Sequence, residues 1–480
     1  MQVIADLEVH SKYARAVSPQ MTLGNIAFWA EKKGIGLVGT GDFTHPLWFR
    51  ELEANLEEAG AGVYRLRKSE ARNSKSETYF LLTSEVSCIY SHKGKGRRVH
   101  IMVYLPTFSK VRKFNEELTR RGANLLSDGR PIIGLTLSQV AEIALNVEPK
   151  AIIIPAHVWT PWFGFYGHMS GFDSLEAAFG KLSANICAME TGLSSDPAMN
   201  WRIEELSNRN IVSFGDAHSL QKLGREATVF EVPKLSYENI YRAITLDNRK
   251  TQRSSSSDNQ NVRISDLSDY QTIRLSESSE FSGSRILYTI EFYPEEGKYH
   301  YTGHRKCNVV YSPNEARKMG MICPVCGKSL TAGVMSRVET LASHDVETQS
   351  EFDKYGVRWI RAAGPEGLWP GGTKRPYVML VPLIEIISEA LGVGIGSQQV
   401  ATVYDQLVNS FESEFKILLK TSNKDLKKVA NPKVIEGIEK VRSGDIVIEP
   451  GYDGVFGKVK IWKEGESDKE KITADQSTLF

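Results

Sequence analysis

The sequence predicts an α/β protein: an α/β layered or barrel domain, then a small zinc-ribbon-like domain, then a mainly helical C-terminal region. Three observations predict it. Short β-type runs alternate with helical stretches from residue 1 to about 235, nearly every one of those runs ends in a His, Asp or Glu, and three of the five cysteines crowd into residues 307–326 behind a histidine. With 480 residues the chain has length for about three domains. Its 41% hydrophobic and 24% charged residues exclude a disordered, collagen-like or coiled-coil protein.

Taken in order, residues 3–9, 36–40, 79–83, 99–105, 151–154, 186–189 and 211–214 read as strands, with a helix over 22–33 between the first two. Such alternation predicts a mainly parallel sheet, and the barrel domain is assigned to residues 1–250. Residues 251–284 turn Ser-rich and polar and read as a linker or loop, and the cysteine cluster defines a zinc-binding domain over 285–345. Within 346–462 come an apolar helical stretch (382–391), a Gly-rich turn (392–396) and an amphipathic segment (397–419). Short β runs then surround Pro450-Gly-Tyr-Asp-Gly454, and residues 463–480 form a charged tail.

The strand ends carry the chemistry. In β/α barrels the C-terminal strand ends converge on one face, where active sites lie. Here they supply Asp6-Leu-Glu-Val-His10, Gly39-Thr-Gly-Asp42, Glu85, His100, Pro155-Ala-His157, Glu190 and Gly215-Asp-Ala-His218. Any one histidine in such a place could be a satisfied core residue, but the ordered set points to divalent metal. Mixed nitrogen and oxygen donors suit Zn, Mn, Mg or Fe, and one to three ions fit the number of groups. A shared carboxylate such as Glu85 is suited to bridging. Clustered ions make hydroxide near neutral pH and stabilise the entering and leaving oxygens of a displacement at phosphorus, so the reaction class expected is phosphoester hydrolysis.

His304-x2-Cys307-x15-Cys323-x2-Cys326 has the spacing of a tetrahedral structural zinc, with His300 as an alternative fourth ligand. Four protein ligands leave no open position, so this ion is expected to hold structure. Cys88 and Cys187 lie in or after apolar runs and read as buried. An odd cysteine count, no apolar run long enough to span a bilayer, and a start that goes straight to Asp6 predict a cytosolic protein in a reducing compartment. Lys+Arg 59 against Asp+Glu 58 leaves a net charge of +1, so any contact with nucleic acid must come from local patches.

These motifs resemble the polymerase and histidinol phosphatase (PHP) family of metal-dependent phosphoesterases. Within it they resemble the endonuclease Q family of archaeal and bacterial DNA repair nucleases, through Val38-Gly-Thr-Gly-Asp42, the run Pro155-Ala-His-Val-Trp-Thr-Pro-Trp162, the run Tyr299-His-Tyr-Thr-Gly-His-Arg-Lys-Cys307, the knuckle Cys323-Pro-Val-Cys-Gly-Lys328 and the run Arg375-Pro-Tyr-Val-Met-Leu-Val-Pro382. The resemblance spans residues 3 to about 462. It implies a distorted PHP-type β/α barrel and cleavage of DNA 5′ to a deaminated base (uracil, hypoxanthine, xanthine) or an abasic site. It implies metal ligands at His10, Asp42, Glu85, His100, His157, Asp216 and His218, with Glu85, Asp216, His218 and His157 catalytic. It also implies a cytoplasmic, nucleoid-associated protein of an archaeon or bacterium. Two positions depart from the pattern. Glu8 stands where the first histidine is usual; a glutamate still ligates Mn or Mg, so the metal preference is retuned. Ala16 stands where some members of the wider family carry another histidine, which implies fewer than three tightly held ions.

Further readings come from the residues themselves. Trp159, Trp162, Phe163, Phe165 and Tyr166 crowd behind His157; they are either core or a wall that stacks on an extruded base. Lys95, Arg97 and Arg98 precede His100 and read as phosphate contacts or as a solvated loop. The helical region 346–462 either contacts DNA or packs on the barrel. Gln476, Leu479 and Phe480 resemble a shortened sliding-clamp motif, against the alternative of a frayed end. Two competing functions remain from this reading: a PHP phosphatase of a small phosphomonoester, and a degenerate barrel that binds DNA without cutting it.

Overall fold

A computed structural model describes residues 1–67, 78–245, 283–364 and 374–463. The Ser-rich segment up to residue 282 and the tail with Gln476, Leu479 and Phe480 lie outside the described residues. No helix among the described residues is long and apolar enough to cross a membrane.

Seven strands form a ring: Gln2–Asp6, Leu37–Gly39, Tyr79–His92, Lys95–Leu105, Ile152–Pro155, Ala188–Glu190 and Asn210–Val212. Ladders join the first through the fifth, and the sixth to the seventh. The two remaining gaps close through single contacts just past the strand ends, Val158 N–H to Glu190 O at 3.1 Å and the Val9–Ala217 bridge. Those contacts tie the ring together where the ligand-bearing loops begin. Helix Leu23–Lys33 covers the outside with Leu23, Ile26, Ala30 and Lys33 buried, the three- and four-residue spacing that puts one stripe against the sheet.

The sheet is mixed, which corrects the mainly parallel expectation. Tyr79–His92 and Lys95–Leu105 form one long antiparallel hairpin, and Ile152–Pro155 also joins antiparallel. The reason is local: Lys93-Gly94, both at positive φ, make a tight turn where a helical crossover was expected.

Beyond the ring the sheet continues through Ala227–Glu231, Arg285–Glu291, Tyr377–Met379, Arg358–Ala362 and Thr348–Phe352. Two expected boundaries therefore shift. Arg285–Glu291 is a strand of the central sheet and not the start of the cysteine-bearing unit, and residues 346–379 contribute strands before the helices begin. Helices Leu383–Leu391, Gln398–Phe411, Glu414–Lys420 and Pro432–Ser443 then dock against the barrel. Ion pairs Lys32–Asp405 (2.7 Å), Lys222–Glu385 (2.8 Å) and the buried Lys33–Glu414 (2.8 Å) cross that junction. The cysteine unit carries the hairpin Thr302–His304/Val309–Tyr311 and helix Pro313–Met319, over a small core of Val309, Cys323 and Leu330.

Candidate metal centre

The ring's chemistry lies on one face of the barrel, carried by the loops after four strands and by the middle of the long hairpin, where Glu85 and His100 sit within their strands. Alternation along the hairpin puts Glu85 and Ser87 on one face of their strand, and Ser87 pairs with His100, so Glu85 and His100 meet diagonally on that face. A Glu85 oxygen contacts His100 Nδ1, and the same Oε1 is 3.1 Å from His157 Nε2. The other oxygen, Oε2, is 3.1 Å from His10 Nε2. His10 Nε2 is also 3.1 Å from Asp216 Oδ1, and His218 Nδ1 lies 2.7 Å from the Asp216 carbonyl oxygen. Asp42, His157 and Asp216 hold positive φ, at 49, 30 and 43 degrees, a sparsely populated region in which aspartate and histidine are over-represented and which clusters at functional sites. At Gly192 a Cβ would come within 2.3 Å of His157 Cβ, so only glycine lets the neighbouring loop approach that histidine.

The electrostatics are those of a site built around cations. Desolvation would raise Glu85, but His100, Arg130 and His10 outweigh it and hold its carboxyl well below the usual range. For Asp216, desolvation is outweighed by the hydrogen bond and charge of His10, with His218 adding, and its carboxyl is held down at about 2. Burial pushes His100 down to about 4, where its ring keeps a lone pair for a ligand. Burial raises Glu8 well above the usual carboxylate value, with Glu190 adding.

Three overlapping triads each bring their donor atoms within 4.8 Å of one another: His10/Asp216/His218, Glu85/His100/His157 and Glu8/Glu85/Asp216. Both Glu8 oxygens, Glu190 Oε1 and His157 Nδ1 are buried without a hydrogen-bond partner, and such orphaned donors fit divalent metal. Asp42 stands outside these three groups: its Oδ1 is 3.0 Å from His10 Nδ1 and its Oδ2 accepts Ser11 N–H at 2.6 Å, a position from which it orients His10. A second cluster joins His304, Cys307, Cys323 and Cys326, the knuckle expected from spacing, without His300.

The aromatic run divides. Trp159, Phe165 and Tyr166 are core and not contact residues: Trp159 donates to Asn200 Oδ1 at 2.8 Å, Tyr166 to Glu205 Oε1 at 2.6 Å, and Phe165 stacks between Phe172 and Phe179. Trp162 and Phe163 are half-buried at the site, Trp162 against Tyr299 (5.0 Å between centroids) and Phe163 against His100 (4.6 Å). Arg97 is likewise engaged within the protein, over the Phe172 ring at 4.3 Å and bonded to the Gly171 carbonyl, whereas Lys95 and Arg98 are exposed near the hairpin tip. Sequence reasoning missed Arg130, whose Nη1 is 3.0 Å from Glu85 Oε2. An arginine in a loop carries no periodic signal; only Asp128-Gly-Arg130 as a turn could have drawn attention to it.

Comparison with known proteins gives the family. Residues 382–445 match the family described as the MJ0043 C-terminal domain. The uncharacterized protein MJ0043 of Methanocaldococcus jannaschii is 28% identical over 66% of this chain, which spans about a third (33%) of that protein's length. The crystal structure of the lesion-specific endonuclease PfuEndoQ from Pyrococcus furiosus is 29% identical, with 98% of this chain and 99% of that chain covered at a TM-score of 0.73. A crystal structure of endonuclease Q with a 27-mer duplex substrate bearing an abasic lesion at the active site is 30% identical, covering 97% of this chain and 98% of that one at a TM-score of 0.72. With identity at that level over nearly the whole of both chains, this protein belongs to the endonuclease Q family.

Proposed function

We propose that the chain is a metal-dependent DNA repair endonuclease that hydrolyses the phosphodiester 5′ to a deaminated base (uracil, hypoxanthine or xanthine) or an abasic site. The observation that carries the reading is the largely buried cluster in which Glu85 and Asp216 are each shared between two ligand triads. Glu8, His10, Glu85, His100, His157, Asp216 and His218 would hold divalent ions, which when bound supply a hydroxide nucleophile and charge stabilisation at phosphorus.

The chain's own residues set up that chemistry. Asp42 fixes the His10 tautomer, leaving Nε2 as the ligand atom. His218 commits Nδ1–H to the Asp216 carbonyl, which puts its lone pair on Nε2. Arg130 places a guanidinium beside Glu85 at the edge of the cluster, where it neutralises a phosphate oxygen as readily as the carboxylate it now touches. Trp162 and Phe163 offer ring faces to an extruded base, and Lys95 and Arg98 offer phosphate contacts. The knuckle His304/Cys307/Cys323/Cys326 binds a structural zinc that braces the unit carrying Tyr299, the partner of Trp162.

The test is a gel assay on end-labelled duplexes carrying one uracil, one hypoxanthine, one abasic site or none, with Mg, Mn or Zn and a chelator control. A metal-dependent nick 5′ to the altered position, absent from the undamaged duplex, supports the reading. Release of phosphate from small monoesters without DNA nicking would favour a phosphatase, and binding without any cleavage a degenerate barrel.

A further inference from the structure

Arg337 ties the cysteine-bearing unit to the aromatic loop at the mouth of the barrel. It lies on helix Val334–Leu341, and its side chain is 14% exposed. Its Nε donates to the Tyr166 carbonyl at 3.0 Å, and its Nη2 donates to the Phe172 carbonyl at 3.3 Å and to the Asp173 carboxylate. One guanidinium thus holds two backbone points of residues 157–173, which run from His157 past Trp162 and Phe163. A planar fork of donors makes such two-point contacts, and an ammonium does not.

That stretch needs holding. Phe163 sits at a φ of 75 degrees, a left-handed conformation that is rare for a bulky side chain and persists only where the surroundings impose it. From there its ring lies 4.6 Å from the His100 ring, and its carbonyl accepts His100 N–H at 2.9 Å. The other end of the tie is anchored as firmly. Gly333, just before the helix, donates its N–H to the buried Thr302 Oγ1 at 3.0 Å, and Val334 N–H reaches the Tyr299 carbonyl at 2.7 Å. A Cβ at Gly333 would come within 2.3 Å of the Tyr301 backbone, so the helix seats directly on residues 299–304. That segment carries Tyr299, the ring partner of Trp162, at one end and the knuckle residue His304 at the other. The Arg202–Glu339 pair, at 2.6 Å, joins the same helix to the barrel a second time.

We infer that Arg337 is a positioning residue for lesion recognition: acting from the cysteine-bearing unit, it fixes the backbone from Tyr166 to Asp173 so that Trp162, with Phe163 beside it, presents its ring to the altered position in DNA. The inference rests on the repair reading above. Two contacts of different kind meet on this loop, Tyr299 on the Trp162 ring and Arg337 on the backbone beyond it, and one helix seat holds both. The cysteine-bearing unit is thereby part of the recognition surface as well as a brace.

The experiment uses the full chain as wild type and as Arg337→Met, each with and without Trp162→Ala. Hydrogen–deuterium exchange read by mass spectrometry follows residues 157–173, and fluorescence anisotropy gives the affinity for duplexes carrying one abasic site or one uracil and for their undamaged counterpart. Arg337→Met is expected to speed exchange in that loop about tenfold or more while the ring strands exchange as in wild type. Its preference for altered over undamaged duplex is expected to fall about fivefold or more, the size of a lost base–aromatic stack. With Trp162 already replaced by alanine, the same substitution is expected to change that preference by less than about twofold, because Arg337 acts through the Trp162 ring. A general packing role would instead lower affinity for all duplexes alike. Should Arg337→Met fail to fold by circular dichroism, Arg337→Lys keeps the charge without the two-pronged reach and is expected to show the same changes at smaller size. A loop that exchanges as in wild type, an unchanged preference, or equal effects with and without Trp162 overturns the proposal. A wild type that prefers neither altered duplex overturns the repair reading itself, and the proposal with it.

Discussion

Asp42 Oδ1 lies 3.0 Å from His10 Nδ1, and both side chains are buried. This pair joins the second ring strand to the first and decides which His10 nitrogen faces Glu85 and Asp216. Asp42→Asn is expected to weaken metal binding at the His10 subsite about 10- to 100-fold while knuckle zinc is retained. Metal titration of the stripped protein checks it, and unchanged affinity would remove Asp42 from its positioning role.

The buried Lys33–Glu414 pair fastens the C-terminal helices to the barrel, and Glu414 also accepts Leu383 N–H at 3.0 Å and Tyr404 O–H at 2.8 Å. Lys33→Met leaves that carboxylate buried without its cation and is expected to cost about 3–5 kcal/mol in denaturant unfolding. Adding Glu414→Gln should recover at least half of the loss, because the neutral amide oxygen still accepts Leu383 N–H while its NH2 donates to the Tyr404 hydroxyl oxygen. A double variant no more stable than the single would refute the charge argument.

Trp159 and Trp162 stand three residues apart with different tasks. Trp159→Ala opens a core cavity and is expected to cost about 3–5 kcal/mol of stability. Trp162→Ala is expected to change stability by about 1 kcal/mol or less, yet to weaken binding of lesion-bearing duplex by about 1–3 kcal/mol through lost stacking. Melting curves and fluorescence anisotropy separate the two, and equal effects of both variants on stability would contradict the division.

Glu291 is buried in a nest of hydroxyls, with Ser213 donating at 2.6 Å and Thr191 at 3.1 Å. Burial raises its carboxyl to about 8. The folded protein therefore binds this proton more tightly than the unfolded chain, so its contribution is full below the ordinary carboxylate value of about 4.3 and is lost as pH climbs through that value to about 8. Glu291→Gln is expected to flatten this fall in urea unfolding between pH 5 and pH 8. A wild type whose stability rises over that window, with no effect of the variant, would refute it.

Most of the site was legible because metal chemistry restricts residue types: His10, Glu85, His100, His157, Asp216 and His218 each follow or occupy an apolar run, and the structure brings all six together. What hid was what depends on partners distant in sequence. The positioning part of Asp42 shows only when His10 is seen beside it, and Arg130 gains its meaning only beside Glu85. The aromatic run could not be sorted from sequence, since burial of Trp159 depends on Asn200 and that of Phe165 on Phe172 and Phe179. The mixed sheet was missed for a similar reason: a two-residue turn at Lys93-Gly94 replaces the expected crossover.

The most direct test of the central claim is single-turnover cleavage of an end-labelled duplex carrying one altered base, comparing wild type with Asp216→Asn. Asp216 is partly exposed (26%) and shared between two triads, so its loss should disable catalysis while leaving the DNA-facing surface intact. Asp216→Asn is expected to bind the duplex with affinity close to wild type and to nick at least about a hundredfold more slowly. Undiminished nicking by this variant would contradict it.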